Sequence, residues 1–560
     1  MIKDKFTLIL IAVIVLGFLL RFWGFQFEYL FNSIDDESYQ GACLLRMIQN
    51  KSLDPNGCPN PYPALFVLIH FPSVIIGLFA LLLKANFDLD VFRGIIAVYP
   101  FSILPAIRLF SIIAGASQIF LIYKITKSLF GSSTKGLIAA IFMAVSLMPV
   151  QMSHWGRPWT LSLFFTLLTL YSGIQIYKTG ERKHYILSAI FASSGIGIHY
   201  SGFFAAVFIA FGHFFRKIKT QFRGNKNFYL AVFLTILFSA LWIFLNRTEV
   251  YNEFLGSDGY SNYYYQGSGI AQYFSNAFLF LKHFAAFDPV VFLLYAAALL
   301  INFRKLFTFE YLFLTLFFIF YLAFMVFASL GTYSRWSLPL IAVSLPIVAD
   351  FLGDLKTRFK ARFSYGILIV FLLLPSLFFS ATWDYMLNLP NTRFAAKDWI
   401  EKNLPINSKV LFLDETSVLA ESQEGAKYLN EALSGIRPPN PRYLYLAERG
   451  QNVFPGYQAV TNRQFLDNRS YFESQPFDYY VLSYSNESEY QEKVNLIPDQ
   501  KELELIKEIL PFDQSVGEAG KKRRESFDPE QGFSIEYLEI LRNIRMTGPT
   551  IEIYRKIIKI

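Results

Sequence analysis

Three adjacent carboxylates, Asp35, Asp36 and Glu37, stand in the segment Ile34-Asp35-Asp36-Glu37-Ser38-Tyr39, just after the first long apolar run of the chain. Beside a membrane such a cluster is unfavourable unless it binds a cation, pairs with Arg, or works as acid and base. The plainer reading is a solvated acidic loop, or an N-cap for the amphipathic stretch that begins near Ser38. Arg108, Arg157 and Arg335 each fall at the end of an apolar run. There a planar guanidinium could grip a phosphate with two parallel hydrogen bonds, or simply snorkel to the interface. His154, close to Arg157, could bond the same anion, or be a buried structural imidazole. The six histidines have no zinc-ligand spacing. Any metal is therefore expected only as a divalent cation on Asp36 and Glu37.

These side chains are positioned by a chain of 560 residues that is 54% hydrophobic and only 17% charged, with a mean hydropathy of +0.35. Soluble domains carry about 25% charged residues, so much of this chain faces lipid. The run from Phe6 to about Phe22 is long enough to span and lacks a small-residue cleavage site, so it reads as a true first helix. Ten further spans follow, at roughly 103–123, 136–151, 158–177, 185–199, 200–215, 228–246, 286–303, 310–330, 336–351 and 363–382. The fold expected is an α-helical polytopic membrane protein of about eleven spans.

Alternate loops are basic: Lys124, Lys127 and Lys135; Lys178, Arg182 and Lys183; Arg216 to Lys226; Arg304 and Lys305; Lys356 to Arg362. The positive-inside rule puts these loops and the N-terminus in the cytoplasm, and the acidic triplet, His154, Arg157 and Arg335 outside. The net charge of +8 is thus explained by topology, and no basic patch with base-reading residues points to nucleic acid. Residues 64–83 are apolar enough to cross but would invert every later loop, so they read as a helix dipping into the outer leaflet or half of a hairpin. Cys43 and Cys58 share the first outer loop, where a disulfide is chemically allowed; two unrelated thiols are the alternative.

Composition shifts near Asn388. Residues 1–387 read as the membrane domain, with 25–102 as a first extracytoplasmic loop carrying juxtamembrane helices. Residues 388–560 read as an extracytoplasmic α/β domain with helix-like 394–403 and 418–432 and strand-like 409–413, 478–483 and 550–555. The charged segment 517–531 reads as a mobile loop. The Tyr- and Gly-rich segment 247–285 could shape a groove whose aromatic faces stack on sugar rings, or an interfacial aromatic belt.

Asp36-Glu37-Ser38-Tyr39, with Arg46-Met47 downstream, resembles the Asp-Glu-x-x-Tyr signature of the GT-C glycosyltransferases related to protein O-mannosyltransferases and bacterial aminoarabinose transferases. Pro61-Tyr62-Pro63 stands where that family has a Pro-Pro element. Arg108 in LPAIRLF, HWGRPW at 154–159, RWSLP at 335–339 and TRFAAKDWI at 392–400 are similar to further family segments in the same order. The resemblance covers roughly residues 6–405 and departs at Trp159, near which many relatives carry a second acidic residue.

What it implies is a sugar transfer from a polyprenyl-phosphate-linked donor to a protein, glycolipid or cell-wall glycan at the outer face. Asp36 would be the general base, Glu37 would orient the acceptor or a neighbouring Arg, and Asp35 would stand beside them without a matched role. Arg108, Arg157, Arg335 and His154 would hold the donor phosphate, and Tyr39 and Tyr62 the acceptor. A transporter or lipid flippase, or a non-catalytic surface-glycan assembly factor, is the alternative. Against a transporter stand the loop position of the carboxylates and the lack of an internal repeat.

Overall fold

A computed structural model describes residues 2–29, 37, 39–53, 64–221, 224–245, 247, 270–328, 333–358, 362–414, 417, 419–437, 440–449, 456–497, 502–512 and 541–557. Asp35, Asp36, Tyr62, Cys58 and the expected mobile loop 517–531 lie outside these residues. So does most of the segment 247–269.

The membrane part begins with α1 (Ile2–Phe22), followed by α2 (Tyr39–Asn50), α3 (Ala64–Ile69), α4 (Phe71–Lys84) and α5 (Leu89–Val98) in the first loop. Then come α6 (Leu104–Phe130), α7 (Ser133–Val145), α8 (Leu147–Ser153), α9 (Pro158–Thr179), α10 (Arg182–Ile198), α11 (Val207–Thr220) and α12 (Lys226–Leu245). After residue 269 follow α13 (Ile270–Phe287), α14 (Pro289–Ile301), α15 (Phe309–Ala328), α16 (Leu338–Arg358) and α17 (Arg362–Leu387). Among the described residues eight helices are long and apolar enough to cross, or ten if each of two bent pairs is one span. The expected eleventh is α10, whose seventeen residues rise only about 26 Å.

The two bent pairs have identifiable causes. The α7–α8 pair bends by 57° at Ser146, because the ring of Pro149 would clash with the carbonyl four residues back if the helix ran straight. The carbonyls released there find donors: Arg21 on α1 reaches Met143 at 2.9 Å and Ala144 at 3.0 Å, and Ser380 on α17 reaches Val145 at 2.7 Å. The α13–α14 pair bends by 117° at Asp288-Pro289, where the Asp288 side chain caps Val291 N. Asp288 also accepts from Ser146 at 2.6 Å and Ser376 at 3.0 Å, so one buried carboxylate joins both interruptions to α17.

Residues 64–83 are not one helix. A turn at the buried His70 divides them, and α4, with 14 residues, rises about 21 Å, too little to cross the hydrocarbon. Gly77 of α4 packs against Ile103 and Ala106 at the start of α6, while Phe71, Ile75, Ile76 and Phe79 face outward. The segment 270–287, read as part of a Tyr-rich loop, is helical instead. Its apolar positions Phe280, Phe284 and Phe287 enter the main core, a signal masked by the polar Gly-rich stretch before it.

The basic loops meet at one end of the bundle. Lys135 and Lys305 both pair with Asp350 and Asp354 at the foot of α16, Arg216 bonds the Tyr177 carbonyl and Lys219 lies over the Tyr177 ring.

Beyond α17 the chain forms α18 (Thr392–Asn403), α19 (Gln423–Ala432), α20 (Pro441–Arg449), α21 (Asn462–Asp467), α22 (Arg469–Glu473) and α23 (Glu487–Val494). With them runs a five-stranded sheet of β1 (Lys409–Leu413), β2 (Gln458–Thr461), β3 (Tyr479–Tyr484), β4 (Leu503–Ile509) and β5 (Thr550–Lys556). The strand order is β2-β1-β3-β5-β4. β1 is parallel to β2 and β3, and β5 is antiparallel to β3 and β4. β1, β3 and β5 carry near-continuous buried runs because both faces of the sheet are covered, which is why they read as strands from sequence. This unit rests on α5: Arg442 of α20 donates to the carbonyls of Ala97 and Val98 and to Glu421, so a cation caps the C-terminus of α5.

Candidate active site

Glu37 sits fully buried at the end of the bundle opposite the basic loops. Its carboxylate meets Arg108 of α6 in a fork, Nε to Oε1 at 2.7 Å and Nη2 to Oε2 at 2.6 Å, and accepts Gly156 N at 2.6 Å. Arg108 is equally buried; its Nη1 donates to the carbonyls of Phe25 at 3.1 Å and Phe27 at 2.5 Å, and its guanidinium covers the Phe27 ring at 4.0 Å. Four of its five N–H groups thus hold the first loop. Arg108, which the sequence suggests for a phosphate, has these N–H groups engaged by Glu37 and by the carbonyls of Phe25 and Phe27, and so positions the segment next to Asp36. Position 156 is restricted to glycine by close approach, since a Cβ there would meet Ile107 at 2.5 Å and Glu37 Oε1 at 3.3 Å.

The loop between α8 and α9 supplies the next residues. His154 is buried, with Nδ1 3.0 Å from the Val150 carbonyl and Nε2 2.9 Å from the Trp23 carbonyl, and Nε2 also lies 3.5 Å from Asp384. A neutral ring donates to only one of these carbonyls. His154 therefore braces α1, α8 and α17 against each other. Arg157, at the start of α9, is nearly buried over the Trp155 ring at 5.8 Å. Arg335 covers Trp159 at 5.2 Å and Tyr333 at 4.2 Å, and Trp159 packs on His199 with ring centroids 4.4 Å apart. Arg335, Trp159, His199 and Tyr333 form one basic, aromatic cluster, of the kind that holds both a phosphate and a ring. Tyr333 was not foreseen; it lies two residues before Arg335 in a stretch with no periodicity to reveal it. Tyr39 begins α2.

Residues 94–244 match the sequence model of the dolichyl-phosphate-mannose-protein mannosyltransferase family. The oligosaccharyltransferase of Archaeoglobus fulgidus, solved in complex with zinc and sulfate, superposes over 98% of this chain and 88% of that one at 12% identity, with a TM-score of 0.50. The chain has the GT-C fold.

Other GT-C structures are similar at lower scores. The ArnT structure from Cupriavidus metallidurans bound to undecaprenyl phosphate matches over 90% of this chain and 96% of that one, at 12% identity and a TM-score of 0.49. The S. cerevisiae Pmt1–Pmt2 complex bound to the sugar donor matches over 47% of this chain and 36% of that one, at 16% identity and a TM-score of 0.31. Against the apo Archaeoglobus enzyme the chain spans 62% of that protein's length. No curated protein sequence matches.

Among the described residues no group of three or more His, Cys, Asp or Glu side chains could hold a metal ion in this GT-C chain. Glu37 does not fit the cation role considered for it, because both its oxygens are already taken by Arg108 and one also by Gly156. Cys43 is disulfide-bonded, and Cys58 is the only other cysteine of the chain. In the α/β unit, burial pushes the Asp414 carboxyl up, but Arg393 at 3.0 Å and Lys493 more than offset it, leaving Asp414 below the usual carboxylate range. Glu421 is the reverse case: burial raises it and Arg442 only partly compensates.

Proposed function

We propose that this GT-C chain transfers a sugar from a polyprenyl-phosphate-linked donor to a hydroxyl of a protein, glycolipid or cell-wall glycan at the extracytoplasmic face. Asp36 takes the proton of the acceptor hydroxyl as its oxygen bonds to the anomeric carbon; the bond from that carbon to the phosphate oxygen breaks, and the polyprenyl phosphate leaves. Arg157 and Arg335 stabilise the departing phosphate, Trp159 and Tyr333 offer aromatic faces to the sugar, and Tyr39 and Tyr62 contact the acceptor. Asp35 is kept as a neighbour of the base.

The observation that carries this reading is the buried Glu37–Arg108–Gly156 lock, which fixes the residue next to Asp36 between α6 and the α8–α9 loop. Two further observations support it: the mannosyltransferase family match over α6 to α12, and the basic and aromatic cluster around Arg335. In this reading residues 1–387 are the transferase domain and 388–560 an extracytoplasmic α/β domain. The basic loops and the N-terminus face the cytoplasm, in keeping with a disulfide on α2.

The test is reconstitution with polyprenyl-phosphate sugars and candidate acceptors. Asp36→Asn is expected to abolish transfer without lowering thermal stability. Equal turnover by wild type and Asp36→Asn removes the assignment.

A further inference from the structure

A groove of about 830 Å³ runs between the outer ends of α1 and α17. Its lower wall is apolar and belongs to the membrane-spanning part: Leu16, Leu19 and Phe22 line it and are 37%, 54% and 38% exposed. From Leu16 to Phe22 the helix rises about 9 Å, more than half the depth of one leaflet of a 30 Å hydrocarbon layer. The helices converge at the upper end, where Gly24 (φ +89°) leaves no space for a side chain: a Cβ would lie 2.9 Å from both Leu387 Cβ and Asn388 Nδ2.

The rim changes character abruptly. Gln26, Glu28, Asn388, Asn391 and Thr547 line it, and among the described lining residues there is no Lys, Arg or His. Glu28 is held with a φ of +47°, a left-handed conformation that costs a residue with a side chain of order 1 kcal/mol, by a hydrogen bond from Asn391. A carboxylate is thus fixed, at some strain, above an apolar slot.

We propose that this groove binds a membrane lipid with an uncharged, hydroxyl-rich head, of the glycosyl diacylglycerol class. The lower wall faces hydrocarbon, so its occupant is an acyl chain. The rim selects the head. Amides and a carboxylate pair well with sugar hydroxyls, whereas a phosphate head would meet Glu28, and the cation that feels Glu28, Arg393, is paired with Asp414 and does not line the groove. That chemistry separates this groove from the arginine cluster, where a phosphate fits. The groove also shares its wall with the site, since the carbonyls of Phe25 and Phe27, both lining residues, are the ones Arg108 holds.

The experiment places the full-length protein in phosphatidylcholine nanodiscs containing equal amounts of digalactosyl diacylglycerol and phosphatidylglycerol, and counts retained lipids by native mass spectrometry. Wild type is expected to retain the glycolipid over phosphatidylglycerol. Leu19→Trp, which fills the slot, should lose that retention, Gln26→Ala should weaken it, and Phe233→Trp on the outward face of α12 should leave it unchanged. Preferential retention of phosphatidylglycerol, no selectivity, or glycolipid retention untouched by Leu19→Trp overturns the proposal. No turnover is measured, so the outcome is independent of the fate of Asp36→Asn.

Discussion

At the scale of single residues, Glu37 has a structural part in the acidic triplet and Asp36 the proposed catalytic one. Glu37 is locked away with Arg108, and this sets an expectation distinct from that for Asp36. Breaking one partner of a buried ion pair leaves an uncompensated charge, at about 3–5 kcal/mol. Glu37→Gln should therefore lower both the thermal midpoint and the transfer rate, while Asp36→Asn lowers the rate alone; differential scanning fluorimetry beside a transfer assay separates the two. A replacement of both Glu37 and Arg108 by apolar residues should recover part of the stability and none of the rate. The sequence marked Glu37, Arg108, His154, Arg157 and Arg335 as unusual because charge at the end of an apolar run is costly and demands a reason. It could not tell an arginine that meets a carboxylate 71 positions away from one over an aromatic ring, because that choice is made by how α1, α6 and α9 pack.

At the scale of elements, helix interruptions matter as much as helices. Arg21 places a guanidinium inside the bundle to serve the carbonyls that the α7–α8 bend exposes. An unsatisfied buried acceptor costs about 1–3 kcal/mol, so Arg21→Met should depress the unfolding midpoint in detergent far more than Arg182→Met at the exposed start of α10; equal small losses in the two would contradict this capping role. The long apolar helices and the β1, β3 and β5 strands were legible because their patterns are strong. β2 and β4 were not: β2 has four residues, and β4 is an edge strand broken by a register shift between Leu505 and Lys507, with only one fully buried position. The break at His70 was equally hidden, since hydropathy reads ALFVLIHFPSVIIGLFALLL as continuous while Pro72 favours a fresh helix start.

At the scale of the whole molecule, the basic loops gather at one end, and the sheet docks through α5 at the other. Cysteines introduced at Ser485 should be labelled by an impermeant maleimide from outside intact cells, and those at Lys219 should not; the reverse pattern would invert the bundle. The α/β unit carries its own acid sensitivity. Asp414 lies below its unfolded value near 3.9, so the Arg393–Asp414 contribution is complete above that pH and is lost as pH falls through the lower, folded value. Tyrosine and tryptophan fluorescence should report a wild-type unit weakening below about pH 4, and Asp414→Asn should already be weakened at neutral pH and flatter on acidification. Asp288 has a consequence of another sort. With Ser146 on one kinked rod, Val291 on a second and Ser376 on a third all hanging from a single buried carboxyl group, none can unbend by itself. Any gating of this bundle has to shift those three rods in concert, like gears on one axle.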